Sequence, residues 1–196
     1  EDMKELTLLV RESTNGKHTT INNHLNINII LDTKCKDAMN ISDFVSDLHV
    51  SIEDLLYTGN NGYVEGMSNV FIEGLKLIEP CKRPIQCSDE RGNSLYIKDH
   101  DKWEKDGDGK IFDAHIGAVS KKQIDSIKDW EDMHPNWQSS DVETKMYVEL
   151  IQKIMGGSSD EERIKNYRCI QKKSWKTIPN QRHAGLLIII RLPCNY

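Results

Sequence analysis

The sequence predicts an α+β fold, mostly helical, with a small antiparallel meander of about three strands and an N-terminal Asn-rich strand. Three observations predict it. Apolar residues recur at helical spacing through most of the chain after Ile41. Ser-x-x-Asp/Glu pairs (Ser51 with Asp54, Ser140 with Glu143, Ser158 with Glu161) mark helix starts, because each side chain satisfies the other residue's free backbone N–H. Between the helical stretches, "RPIQCSD", "NSLYIKD" and "KWEKD" alternate with period two and are joined by "ERG" and "HD".

Taken in order, "EDMKELTLLVRE" has Met3, Leu6 and Val10 near helical spacing, and "STNGKHTT" breaks it. "LNINIILD" puts Leu25, Ile27, Ile29 and Leu31 on one face of a strand. Ile41, Phe44, Val45 and Leu48 form one helical stripe. A second helix runs from the Ser51 box to Gly59, and a third carries Val64, Met67, Phe71, Leu75 and Ile78 before Pro80 stops it. After the meander, where Ile85 and Tyr96 are expected to face the helices, Phe112, Ile116, Val119, Ile124, Ile127 and Trp130 form a stripe that Pro135 ends. Val142, Met146, Leu150, Ile151 and Ile154 form the next, closed by Gly156-Gly157, and Ile164, Tyr167 and Ile170 the last. The organisation is a helical remnant or linker over 1–18, one α+β domain over 19–175 and a tail over 176–196.

The chain has 196 residues, a net charge of −5 and a pI near 5.8, so no global basic field attracts nucleic acid or anionic membrane. Its longest apolar run, Leu186 to Ile190, is one strand long, so no membrane span is expected. "EDMKELTLLV" is not a signal peptide, and five dispersed cysteines (Cys35, Cys81, Cys87, Cys169, Cys194) read as reduced thiols; a protein that is not secreted is expected. Asn40-Ile41-Ser42 is a glycosylation sequon, to which no role is assigned.

"KWEKDGDGKIFDAH" resembles a calcium loop, with Glu104, Asp106 and Asp108 at alternate positions and Gly109 sixth. Its twelfth position is His115, which supplies no bidentate carboxylate, and a strand precedes it, so a solvated strand-to-helix loop is expected. Asp99, His100 and Asp101 offer ligands to a nuclease-type metal, but Asp also belongs in hairpin tips. Cys81 and Cys87 are spaced too widely for a zinc knuckle. No nucleotide-binding or hydrolase motif is present. No cofactor, metal or catalytic residue is expected. Candidate phosphate contacts are Arg91, Lys98, Lys121, Lys122, Lys172 and Lys173, near strand or helix ends.

"CKDAMNISDFVSDLHVSIEDLLYTGNNGYVEGMSNVFIEGLKLI", then "KRPIQCSDERGNSLYIKDHDKWEKD" and "IMGGSSDEE", resemble in order segments of uncharacterised proteins of giant DNA viruses of algae and amoebae. The resemblance covers roughly Thr19 to Ile170. In that family the segment follows a two-Cys, two-His zinc finger, a coiled coil and an Asn/Thr-rich run; "TTINNHLNINIILD" is similar to the end of that run, and no finger is present in this chain. The resemblance implies a viral source and a setting in host cytoplasm, viral factory or virion. It implies no reaction.

The resulting expectation is a non-enzymatic oligomerisation and partner-binding module. Leu25, Ile27, Ile29 and Leu31 would form the interface of a homo-oligomer, since a strand edge leaves ladder groups free for another copy. Another viral or host protein is an alternative partner. The alternative functions are a nucleic-acid-binding accessory domain and, behind it, a metal-dependent nuclease.

Overall fold

The meander forms, but its two faces have different partners. In a computed structural model, which describes residues 29, 31–87 and 95–177, β1 (Ile85–Cys87), β2 (Leu95–Asp99) and β3 (Lys102–Lys105) make an antiparallel sheet in the order β1-β2-β3. Ile85 pairs with Ile97, and Lys98 with Trp103. A two-residue turn joins β2 to β3, with His100 and Asp101 both at positive φ (47° and 60°), as the right-handed twist of a tight hairpin requires.

Seven helices accompany the sheet among the described residues: α1 (Ile41–Asp47), α2 (Ile52–Asn61), α3 (Tyr63–Lys76), α4 (Lys110–Asp125), α5 (Ile127–Met133), α6 (Asp141–Ile154) and α7 (Asp160–Thr177). The fold is α+β and mostly helical. Ile85, Leu95 and Ile97 on the inner sheet face join Phe44 of α1, Phe71 of α3, Phe112 and Ile116 of α4 and Ile170 of α7 in the main core. The Phe71 ring lies 6.0 Å from Phe44 and 5.4 Å from Phe112, tilted against both. Leu55, Trp130, Leu150 and Ile154 form a second cluster between α2, α5 and α6.

A third cluster covers the outer sheet face. Tyr96 and Trp103 pack there against Leu31, Cys35 and Ala38, so Ile85 faces the helices as expected and Tyr96 does not. Successive strand residues point to opposite faces, and along β2 both faces are buried, while β3 buries only Trp103. Residues 31–34 are helical, as is residue 29. This corrects the strand expectation at Ile29 and Leu31: two positions apart on a helix are about 200° apart, so Leu31 is 1% exposed and Ile29 59%. Leu25 and Ile27 lie outside the described residues.

Local chemistry sets the boundaries. Ser51 and Asp54 form the reciprocal capping box, Ser51 Oγ accepting from Asp54 N at 3.2 Å and Asp54 Oδ2 from Ser51 N at 3.0 Å. Ser140 Oγ accepts from Glu143 N. The last box is displaced by one residue: Ser159 Oγ accepts from Glu162 N, and the Glu162 carboxylate accepts from Ser158 N. Gly59 does not end α2, which runs on to Gly62 at φ 89°. Its role is close approach, since a Cβ there would lie 2.7 Å from Leu150 Cδ1 of α6. The stripe from Phe112 to Trp130 is broken at Ser126, which separates α4 from α5. In α4, Gln123 is buried in place of Ile124 and donates to Thr58 Oγ1 at 2.6 Å.

Candidate functional site

Three groups of polar residues singled out by the sequence turn out to serve the fold, and two surfaces remain. At the hairpin tip, Ser42 Oγ donates to Asp99 Oδ1 at 2.8 Å, and Asp101 N donates to Asn40 Oδ1 at 2.8 Å. Asn40 Nδ2 donates to Asp43 at 3.0 Å and to Asp101 at 3.3 Å. The start of α1 therefore docks onto the β2–β3 turn through Asn40 and Ser42, which the sequence marks only as a sequon without a role. His100 Nδ1 stands 3.3 Å from Asp99 Oδ2, with the ring almost wholly in solvent. Burial acts to raise the Asp99 carboxyl. The Ser42 hydrogen bond, then His100 and His115, outweigh it and hold the group below its ordinary value.

In the calcium-like loop, Asp106 is buried and both its oxygens face a helix start: Oδ1 accepts from Ile111 N at 3.2 Å and Oδ2 from Phe112 N at 3.0 Å. These are N–H groups that the first turn of α4 leaves unpaired. Asp108 Oδ1 accepts from Lys110 N at 3.2 Å. Gly109, at φ 75°, lets the chain turn beneath Arg168 of α7, whose guanidinium reaches the Asp108 carbonyl and the Asp113 carboxylate. Burial raises the Asp113 carboxyl, Arg168 opposes that, and Asp106 and Asp108 add to it. Among the described residues, no group of three or more His, Cys, Asp or Glu is placed to hold a metal ion.

The candidate phosphate contacts divide. Lys98 is buried on the outer sheet face, and its Nζ donates to the carbonyls of Lys36 and Ala38, each at 2.7 Å. Lys122 Nζ donates to the carbonyls of Ser46 and Leu48 at 2.5 and 2.9 Å, where the carbonyls at the end of α1 are short of partners. Lys173 pairs with Glu65 of α3. Lys98 is buried against acceptors of its own chain, which sets it apart from the phosphate contacts expected, while Lys122 and Lys173 are half-buried and held by acceptors of their own chain. Lys121 and Lys172 are exposed, with no ion pair among the described residues. Arg91 lies outside the described residues.

The first remaining surface is α6. Leu150 and Ile154 bury one side, and Tyr147 stacks on Trp137 at 4.0 Å with its hydroxyl donating to Glu131 Oε1 at 3.0 Å. Val142 and Met146 were expected on the buried stripe and are not; with Val148 they lie 71%, 49% and 46% exposed. The second is the packed cluster under residues 31–38, where Cys35, Cys81 and Lys98 converge. Burial, then the charge and hydrogen bond of Cys81, push the Cys35 thiol up to about 12 while Lys98 pulls it down. No sequence spacing signals this trio, which the fold assembles from three separate segments.

No helix of the described residues is long and apolar enough to cross a membrane. Compared with models of protein families, with curated proteins and with solved structures, the chain finds no match in any of the three.

Proposed function

We propose that the chain is a non-enzymatic assembly module that pairs with a second copy of itself through the exposed side of α6. The observation that carries this reading is the solvent exposure of Val142 and Met146, one turn apart on a helix whose other side is packed into the protein. Outward positions of a surface helix are ordinarily polar, and clustered apolar ones are a feature of contact surfaces. Lys145 and Glu149 stand among them, an i,i+4 pair at 4.0 Å. In an antiparallel arrangement about a two-fold axis, Lys145 of each copy faces Glu149 of the other, so the charges are self-complementary. The flexible Met146 thioether adapts to a partner surface.

This replaces the N-terminal face as the proposed interface, because Leu31 is used within its own chain. The resemblance to giant-virus proteins would put the assembly in the cytoplasm or viral factory of an infected cell, or in the virion. Sedimentation at roughly 50 µM should give a dimer, and Val142→Asp with Met146→Asp a monomer of unchanged circular dichroism. A monomeric wild-type chain at that concentration overturns the proposal. Exposed Lys121 and Lys172 favour nucleic-acid binding as the second reading. It requires a complex at low salt that weakens steeply as salt rises and is lost in Lys121→Glu with Lys172→Glu.

A further inference from the structure

The outer sheet face holds two thiols that the proposed assembly does not use. Cys35 follows the helical turn at 31–34 and is buried among Leu31, Ala38, Tyr96 and Trp103. Cys81, in the 3-10 turn Pro80–Lys82, is half-buried and packs on the same cluster, close enough for its charge to raise the Cys35 thiol. The backbone brings these two segments together independently, Met39 N donating to Lys82 O at 3.0 Å. Gln86 Nε2 donates to Pro80 O at 2.7 Å and so fixes the 3-10 turn to β1. Lys98 fixes the other side through the carbonyls of Lys36 and Ala38.

We infer that Cys35 and Cys81 are a dithiol–disulfide site that covalently fastens residues 31–38 to the sheet when the chain meets a low-molecular-weight disulfide of the glutathione type. Cys81 reacts first because it reaches solvent. Its thiolate attacks one sulfur of the small disulfide, forming a mixed disulfide and releasing one thiolate, which takes up a proton. Cys35 then loses its proton and attacks Cys81 Sγ; the mixed disulfide breaks, the Cys35–Cys81 bond forms, and the second small thiolate leaves and is protonated. Two protein thiols are oxidised, and one small disulfide is reduced to two thiols.

The order of steps has a physical cause. Besides burial, the effects that hold the Cys35 thiol protonated are the charge and the hydrogen bond of Cys81. Both disappear once Cys81 is capped as a mixed disulfide, which leaves Lys98 favouring the Cys35 thiolate against burial alone. Cys87 packs against the main core on the other side of the sheet, and Cys169 is exposed on α7, so neither is placed to compete.

The test uses the full chain. After incubation with oxidised glutathione, remaining thiols are blocked with N-ethylmaleimide and the digest is mapped by mass spectrometry. The expected result is a Cys35–Cys81 cross-linked peptide, with amide exchange across residues 31–38 slowed on the order of tenfold or more. Cys81→Ser should abolish both effects and Cys169→Ser neither. The wild-type map decides even if a variant folds poorly. Glutathione adducts at Cys81 or Cys169 with Cys35 unmodified, or a Cys81–Cys87 link in place of Cys35–Cys81, would overturn the inference.

Discussion

Replacing Lys98 by Met keeps most of the buried stem but strands the carbonyls of Lys36 and Ala38 that its ammonium holds at 2.7 Å. One buried and one part-buried acceptor left without a charged donor should cost about 1–3 kcal/mol, read as a lower urea midpoint with unchanged slope. Period two put Lys98 opposite Ile97, but nothing in the strand says what covers that side. A lysine between Ile97 and Asp99 reads as solvated until the 31–38 segment is known to lie over it. Asp99 gives a second test at this scale. Its carboxyl titrates below the ordinary 3.8 in the folded chain, so the stability it contributes is fully present above that value. That contribution is lost as pH falls through the lower, folded value. Ser42→Ala should therefore be less stable than wild type at about pH 6, with the gap narrowing as acid protonates Asp99. A gap independent of pH would show that the Ser42 hydroxyl acts on something other than the carboxylate.

Elements were legible where their signal is local. The Ser51–Asp54 box is read from four consecutive residues and forms as read, whereas "GGSSDEE" offers two adjacent serines and two adjacent glutamates, and the chain uses the later pair. The run before α4 is the strand-to-helix loop that the sequence leads one to expect, but its Asp106 is buried against the helix start rather than solvated. An Asp-rich run before a helix suits either a cation or backbone N–H groups, and only the helix position tells them apart. Asp106→Ala removes acceptors from two N–H groups and should destabilise by about 1–2 kcal/mol by calorimetry, near the upper end because the group is buried. On α6, Val142 and Met146 share the helical period of Leu150 but lie off the arc that α2 and α5 cover. Periodicity finds the stripe and leaves its width to the neighbours.

For the molecule as a whole, the α+β class followed from where the period changes from 3.6 to 2, and the mapping of sheet faces did not. The sequence points to one α+β domain, and the structure packs it as a main core, a second cluster around Trp130 and a third on the outer sheet face. Tyr96 anchors that third cluster at 2% exposure, so Tyr96→Ala should cost about 3–5 kcal/mol. Because β2 contributes Leu95 and Ile97 to the main core from the adjacent positions, the loss should appear in one common transition by both tryptophan fluorescence and circular dichroism. A separate early fluorescence transition would show that the outer cluster melts on its own. Convergence of Cys35, Cys81 and Lys98 is equally a property of the whole: each sits in an unremarkable local sequence, and only closure of the sheet brings them together.

The docking of α1 onto the hairpin also governs how the protein can be produced. Asn40 belongs to an Asn-Ile-Ser sequon, and its side-chain amide is the group that donates to Asp43 and Asp101. In a host that routes the chain through its endoplasmic reticulum, oligosaccharyl transfer would act on that nitrogen before the hairpin closes over it. One of the two N–H donors would be replaced by a sugar, and the glycan would stand where the β2–β3 turn has to rest. Secreted material would then carry a displaced hairpin and a loosened α1, while bacterial material would not. Asn40→Gln abolishes the sequon but also lengthens the side chain that the turn is fitted to, whereas Ser42→Ala keeps the Asn40 contacts and gives up the hydrogen bond to Asp99.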